Sequence, residues 1–277
     1  MENSSNIAFI GGGNMARSLI GGLVADGFPA QRLIVSDPAK ERLAALAAEF
    51  SVRLAASNRE AVKQADAVVL AIKPQHMRAV VQELAEPLRA RQPLIISIAA
   101  GIRIAELERW LGGPAAIVRT MPNTPALVRS GATALFANTR VSPAQRNLAE
   151  SLLRAAGLTC WLPQEALMDT VTAVSGSGPA YFFLLMEALE AAGEKLGLPA
   201  ETSRLLVLQT ALGAAKMALE SGITPAELRA QVTSPGGTTE AGIGALEAGD
   251  FRALVERAVQ AAAARANELG RLLGQQE

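Results

Sequence analysis

Ile7-Ala8-Phe9-Ile10-Gly11-Gly12-Gly13-Asn14-Met15-Ala16 decides the fold of this 277-residue chain. Four apolar residues make a run of buried-strand length, and the glycines follow with the spacing G-x-G-x-x-A. In such a strand–turn–helix unit the first glycine (Gly11) permits a tight turn. The second (Gly13) lets backbone approach a pyrophosphate, and the small Ala16 lets the helix sit close to the sheet. The helix start turns unpaired amides toward the phosphates, so no Lys or Arg is required there. The same glycines also suit a purely structural turn. What favours a dinucleotide site is the setting: a strand before, a helix after, and further βα units beyond.

Working outward, short β-branched runs recur at 6–10, 33–35, 67–70, 94–98 and 115–119. Helical patterns at 14–26, 39–50, 59–64, 75–90 and 103–110 lie between them. Fully apolar strands alternating with helices imply βαβ units and a parallel sheet. A strand near 131–137, a helix near 143–156 and a strand near 158–162 close this half. With right-handed crossovers the fold class is α/β, a Rossmann-type doubly wound sheet over residues 1–163. Beyond 164 the strands stop. Helices are expected at 165–174, 179–196, 200–220, 225–231, 239–248 and 251–273, punctuated by glycine and proline. One layer of helices with few internal charges cannot bury its own apolar faces. Residues 164–277 are therefore expected to form an all-α domain packed on a second subunit, as a homo-oligomer.

Composition narrows the function classes. Half the residues are hydrophobic but only 4% aromatic, and Lys plus Arg equals Asp plus Glu at 26 each. That balance gives no electrostatic reason to expect nucleic acid or a membrane surface as partner. The single cysteine, Cys160, excludes an internal disulfide and a cysteine-based metal cluster, and no metal is expected. No stretch reaches the roughly 18 to 20 apolar residues of a membrane span. The polar start Met1-Glu2-Asn3-Ser4-Ser5 lacks the basic character of a signal peptide, and a cytoplasmic setting follows.

The second strand ends at Ser36-Asp37. An acidic residue roughly 20 positions past the glycines normally takes the adenine-ribose hydroxyls and repels a 2′-phosphate. Ser36, Lys40 and Arg42 stand close enough in sequence to hold such a phosphate if Asp37 turns away. NAD and NADP are both open, and Asp37 also reads as a cap for the helix at 39–50. Ala71-Ile72-Lys73-Pro74 and Ile98-Ala99-Ala100-Gly101 follow two further strands, at the carboxyl edge where such a sheet binds its ligand.

Two segments in the helical half look unlike ordinary connectors. Ser175-Gly176-Ser177-Gly178-Pro179-Ala180-Tyr181 and Thr233-Ser234-Pro235-Gly236-Gly237-Thr238-Thr239-Glu240 each open a helix. Each offers free amides and hydroxyls at a positive helix end, which suits an anion. Both also make simple N-caps.

These segments, with Ile10-Gly11-Gly12-Gly13-Asn14-Met15, Ala71-Ile72-Lys73-Pro74, Ile98-Ala99-Ala100-Gly101 and Met121-Pro122-Asn123-Thr124-Pro125, resemble the pyrroline-5-carboxylate reductases. The likeness runs in order over nearly the whole chain. It implies hydride transfer from NADPH or NADH to the C=N carbon of 1-pyrroline-5-carboxylate, giving L-proline in the last step of its synthesis. It further implies that Thr239 contacts the ring nitrogen and that Ser234, Gly237 and Thr238 hold the carboxylate. Cofactor contacts would come from Gly11, Gly12, Gly13, Asn14, Met15, Ser36, Asp37, Asn58, Ala71, Ile72, Lys73, Pro74, Ala99 and Ala100. Asp37 departs from the serine, threonine or basic residues that the family often carries in the adenosine pocket. The resemblance also implies a homodimer with intertwined helical domains, and it leaves room for a decamer.

An iminium is already electrophilic, so this chemistry needs positioning more than a metal or a strong acid. His76, the only histidine, has a catalytic-acid reading, but at a helix start after Lys73-Pro74-Gln75 a solvated or capping role fits better. Cys160 beside Trp161 is expected in the core. Lys216 invites comparison with 3-hydroxyacid dehydrogenases, whose glycine-bearing helix motif is absent. Those enzymes, and a dinucleotide-sensing protein without turnover, are the alternatives.

Overall fold

A computed structural model describes residues 5–275, which divide into two compact units. The first runs to Ser177 and takes up the chain again from Ala262; the second is Gly178–Ala261. Among the described residues no helix is long and apolar enough to cross a membrane.

The first unit holds one eight-stranded sheet. Its strands are β1 (Ile7–Ile10), β2 (Leu33–Ser36), β3 (Arg53–Leu54), β4 (Ala67–Leu70), β5 (Leu94–Ser97), β6 (Ile117–Met121), β7 (Gly131–Ala137) and β8 (Gly157–Trp161). They lie side by side in the order β3-β2-β1-β4-β5-β6-β7-β8. Helices α1 (Asn14–Ala25), α2 (Lys40–Phe50), α3 (Asn58–Lys63), α4 (Pro74–Arg91), α5 (Ile104–Leu111) and α6 (Pro143–Arg154) connect them, and α7 (Leu167–Val171) follows β8. The winding reverses between β1 and β4, the expected doubly wound arrangement.

Alternation along each strand sorts the core into two layers. Ile7, Phe9, Leu33, Val35, Val69 and Ile96 face one way, onto Leu19, Ile20 and Leu23 of α1 and Leu152 and Leu153 of α6. Ala8, Ile10, Ile34, Val68, Leu70 and Ile95 face the other, onto Met77, Val81 and Leu84 of α4 and Leu107 and Trp110 of α5. With both faces covered, a strand carries apolar residues at every position. Each fully buried Ile or Leu contributes about 1.5–3 kcal/mol.

Three features depart from the sequence expectation. The strand β3 is too short to give a periodic signal; it pairs with β2 through Ile34 and Val35. The sheet is not parallel throughout: β7 runs antiparallel to β6, and β8 is parallel to β7. The connection 122–130 is too short for a crossover helix, which needs a dozen or more residues, so the chain can only double back. Cys160 is exposed in the single chain rather than in the core. It shares the outer face of edge strand β8 with Leu158, which is 59% exposed. The opposite face carries Trp161, whose Nε1 donates to Glu150 of α6 and whose ring lies under the Arg146 guanidinium.

The second unit is helical: α8 (Gly178–Lys195), α9 (Ala200–Glu220), α10 (Pro225–Gln231) and α11 (Thr238–Ala248), then α12 (Phe251–Gln275), whose later turns belong to the first unit. There Gly270 and Gly274 bring α12 against Gly101 and the Glu106 side chain of the first unit, and Leu273 packs with its second core layer. In the second unit itself large apolar side chains stand exposed in consecutive positions, Phe182, Phe183, Leu184 and Leu185 among them. Four consecutive residues point around a helix in all directions, so that stretch of α8 is bare within this unit, while Glu190 and Gly193 further along the helix meet Ser203 of α9.

Candidate active site

The carboxyl ends of β2, β1, β4 and β5 lie next to one another, so Ser36 and Asp37, 11–15, 71–74 and 98–100 share one edge of the sheet. The Gly11 amide donates to Ser36 O at 2.8 Å, and Ala71 N–H donates to Ile10 O at 2.8 Å, stringing the glycine turn between β2 and β4. Gly11 has φ +99°, and a Cβ there would run into the Ala71 carbonyl. Gly13, in contrast, faces open space: a Cβ there meets nothing within 4 Å.

The first amides of α1, those of Asn14, Met15 and Ala16, have no intrahelical acceptor. No side chain caps them and no acid sits in the first turn. An open glycine edge beside uncapped, unopposed amides fits a bound pyrophosphate. The Gly12 amide is not part of that set. It donates to Asp37 Oδ2 at 2.7 Å.

Asp37 joins the glycine turn to the entrance of α2 and does not cap that helix, whose N-cap residue is Ala39 with no side-chain cap. The other Asp37 oxygen accepts the Ala39 amide at 2.8 Å, and Arg42 of α2 pairs with the carboxylate at 2.9 Å. Burial alone would push this carboxyl up; the Gly12 and Ala39 amides and the Arg42 guanidinium outweigh it and hold the pKa below the usual value. Ser36 is buried, and its hydroxyl donates to Asn58 Oδ1 at 2.8 Å, which orients the Asn58 amide at the start of α3. Lys73 is the exposed residue before Pro74, the first residue of α4, and its carbonyl accepts the His76 amide. Ile72 is half-buried, Ala99 is buried and Ala100 partly so. The Ala99 amide lies 3.4 Å from the buried Ser97 hydroxyl.

In the second unit the 234–239 loop ends on an open helix start. Gly236 has φ +71° and its amide donates to Glu240 Oε2 at 2.7 Å; Gly237 N–H donates to Ser234 O at 3.0 Å. Gly237 is the N-cap of α11 and, lacking a side chain, leaves the Thr238, Thr239 and Glu240 amides uncapped. Ser234, Thr238 and Thr239 are exposed, so hydroxyls and amides gather at one positive helix end. Lys216 on α9 is exposed and stands 3.8 Å from Glu220.

The other hydroxyl-rich segment differs from expectation. Residues Thr172–Gly176 form a π-helical turn continuing α7, and the Ser177 amide is taken by Thr172 O at 2.8 Å. The Ser177 amide is thus occupied, and α8 opens after it at Gly178. Asn123 of the 121–125 motif ties it down, donating to Ser175 O at 3.2 Å while accepting the Ala132 amide. Sequence reasoning also passed over Arg119. It is 4% exposed on β6, 3.0 Å from Glu165 and 3.9 Å from Asp169. A charged residue inside the run Ile117-Val118-Arg119-Thr120-Met121 was the available signal.

The comparisons agree with this geometry. Residues 165–269 match the family model for pyrroline-5-carboxylate reductase dimerisation, and 6–101 match one described as NADP oxidoreductase coenzyme F420-dependent. Pyrroline-5-carboxylate reductase from Pseudomonas aeruginosa is 59% identical over 99% of this chain and 100% of that protein. The pea (Pisum sativum) enzyme of that name is 38% identical over 97% of each. The structure of the Coxiella burnetii pyrroline-5-carboxylate reductase superposes with a TM-score of 0.93 at 49% identity, covering 96% of this chain and 98% of that one. That of Plasmodium falciparum pyrroline carboxylate reductase with NADP bound gives 0.85 at 32%, covering 97% and 99%. By the length and strength of these matches, the chain belongs to the pyrroline-5-carboxylate reductase family.

Proposed function

We propose that this chain reduces 1-pyrroline-5-carboxylate to L-proline with NADPH or NADH, the closing step of proline synthesis. The observation that carries the reading is the open start of α11, where uncapped amides and the hydroxyls of Ser234, Thr238 and Thr239 gather on a chain that also has a dinucleotide-type glycine turn. A binder of cofactor alone has no use for this second anion site. The names of the relatives support the choice of substrate.

The chemistry follows from what these groups can do. Bound reduced nicotinamide supplies the hydride. Gly11, Gly12, Gly13, Asn14 and Met15 form the turn for the pyrophosphate, with Ser36, Asp37 and Asn58 toward the adenosine. Ala71, Ile72, Lys73, Pro74, Ala99 and Ala100 line the ribose and nicotinamide end. Ser234, Gly237 and Thr238 hold the substrate carboxylate through amides and hydroxyls, which fixes the ring without a metal. The Thr239 hydroxyl stands at the ring nitrogen and keeps its proton in place as the C=N bond becomes single. Fixed orientation of this kind is worth up to about 7–11 kcal/mol of a barrier.

Residues 1–163 serve as the dinucleotide-binding part and 164–277 as the substrate-binding and dimerisation part. The bare apolar residues of α8 support a homodimer; a decamer as the larger assembly, a cytoplasmic setting and the lack of a nucleic-acid or membrane partner complete the proposal. Chiral analysis of the product tests the function. Incubation with pyrroline-5-carboxylate and both reduced cofactors should yield L-proline; no proline with either cofactor would overturn the reading.

A further inference from the structure

Three donor groups fill the Asp37 carboxylate. The Gly12 amide bonds to Oδ2 at 2.7 Å and the Ala39 amide to Oδ1 at 2.8 Å, while one guanidinium nitrogen of Arg42 reaches both oxygens, at 2.9 and 3.2 Å. A carboxylate has about four lone-pair positions, so none is left over. The donors differ in kind. Two are backbone amides fixed by the glycine turn and by the entry to α2. The third is a long side chain, 52% exposed, on a carboxylate that is itself 3% exposed. A half-exposed ion pair is readily exchanged, being worth at most about 1 kcal/mol. The amides stay, and Arg42 can leave.

We propose that Asp37, held by the Gly12 and Ala39 amides, makes NADH the preferred reductant of this chain, the ribose diol replacing Arg42 on that carboxylate. The inference rests on the dinucleotide reading above. An unsubstituted ribose brings two hydroxyl donors, which match the two acceptor positions that Arg42 vacates. A 2′-phosphate brings acceptors and negative charge instead. Asp37 cannot turn away from it without breaking its bonds to the Gly12 and Ala39 amides. For Arg42 to serve the phosphate it must leave Asp37, and a phosphate, unlike the ribose diol, brings no donor to take its place on the carboxylate. The neutral donor that could have helped, the Ser36 hydroxyl, is spent on Asn58. Lys40, the other nearby cation of α2, is exposed and screened by solvent.

The test is equilibrium titration of the full chain with NADH and with NADPH, followed by nicotinamide fluorescence without substrate. NADH should bind at least about tenfold more tightly. Asp37→Ser should weaken NADH and tighten NADPH, moving the ratio by about tenfold or more. Arg42→Ala, which removes a surface side chain, should weaken NADPH relative to NADH. Equal binding, or tighter NADPH binding, by the unmodified chain would overturn the proposal and leave the dinucleotide reading intact. Failure of both cofactors to bind would remove the dinucleotide reading itself, and the proposal with it.

Discussion

Asp37, just past the end of β2, accepts the amide hydrogen of Gly12 in the turn after β1 at 2.7 Å. One hydrogen bond thus joins the acidic residue to the glycine turn and holds both before any ligand arrives. Its energetic signature depends on pH. The Asp37 pKa lies below its ordinary value in the folded chain, so folding favours the ionised form. That contribution is fully present above the unfolded carboxylate pKa, near about 3.9, and is lost as pH falls from there through the lower folded value. Urea midpoints of the parent and Asp37→Asn should differ most at neutral pH and converge as the acid range is entered. A constant difference down to the lowest pH at which the chain folds would contradict this.

The turn itself gives a second prediction. Gly11 combines φ +99° with a backbone carbonyl in the space a Cβ needs. Gly11→Ala should lower stability by about 2 kcal/mol or more, from the left-handed backbone plus the displacement of Ala71. Denaturant unfolding measures it. Gly13→Ala, with open space around the Cβ, should keep near-parent stability while weakening cofactor binding.

Arg119 carries a third. It is nearly buried between Glu165 and Asp169, Glu165 also accepts the Ile104 amide at 2.9 Å, and Asp169 accepts Asn267 at 3.1 Å. This cluster ties β6 to α7 and to the later part of α12. Arg119→Met strands acidic partners and should cost about 3 kcal/mol, the low end for a broken buried pair because Glu165 keeps some solvent contact. Adding Glu165→Gln and Asp169→Asn should recover much of the loss. If the triple variant is as unstable as Arg119→Met, charge is not the cause.

Thr239 supplies the fourth, on activity. Thr239→Ala should lower kcat about 10- to 100-fold, the range for one hydrogen bond at a reacting centre. The dissociation constant of the reduced cofactor should stay within about twofold. Thr239→Ser should restore most of the turnover. Equal losses in cofactor affinity and turnover would remove the role assigned to this hydroxyl.

Much of the fold was legible because local and global signals coincide in the first unit. The glycine turn sits between a strand whose apolar residues alternate between the two layers and a helix packed on one of them, and β4 begins where its apolar run does. What escaped depends on partners distant in sequence. Two residues, Arg53 and Leu54, become a strand only because β2 lies beside them. Cys160 and Leu158 look like core residues, but the edge position of β8 leaves their face bare. The start of α11 could be read from Gly237-Thr238-Thr239, since an uncapped helix start is a local matter. The π turn before α8 could not be read in the same way, because the bond that takes up the Ser177 amide depends on Thr172 and on how α7 continues. Asp37 was legible as an acid in the right place, and its fixed orientation was not; that comes from the Gly12 and Ala39 amides.

The most direct test of imine reduction follows the hydride. NADH and NADPH deuterated at both nicotinamide C4 positions are each supplied with unlabelled pyrroline-5-carboxylate, and the proline formed is examined by NMR and mass spectrometry. One deuterium should appear on the ring carbon next to nitrogen and remote from the carboxylate. Unlabelled proline, or label at any other carbon, would contradict direct transfer to the C=N bond.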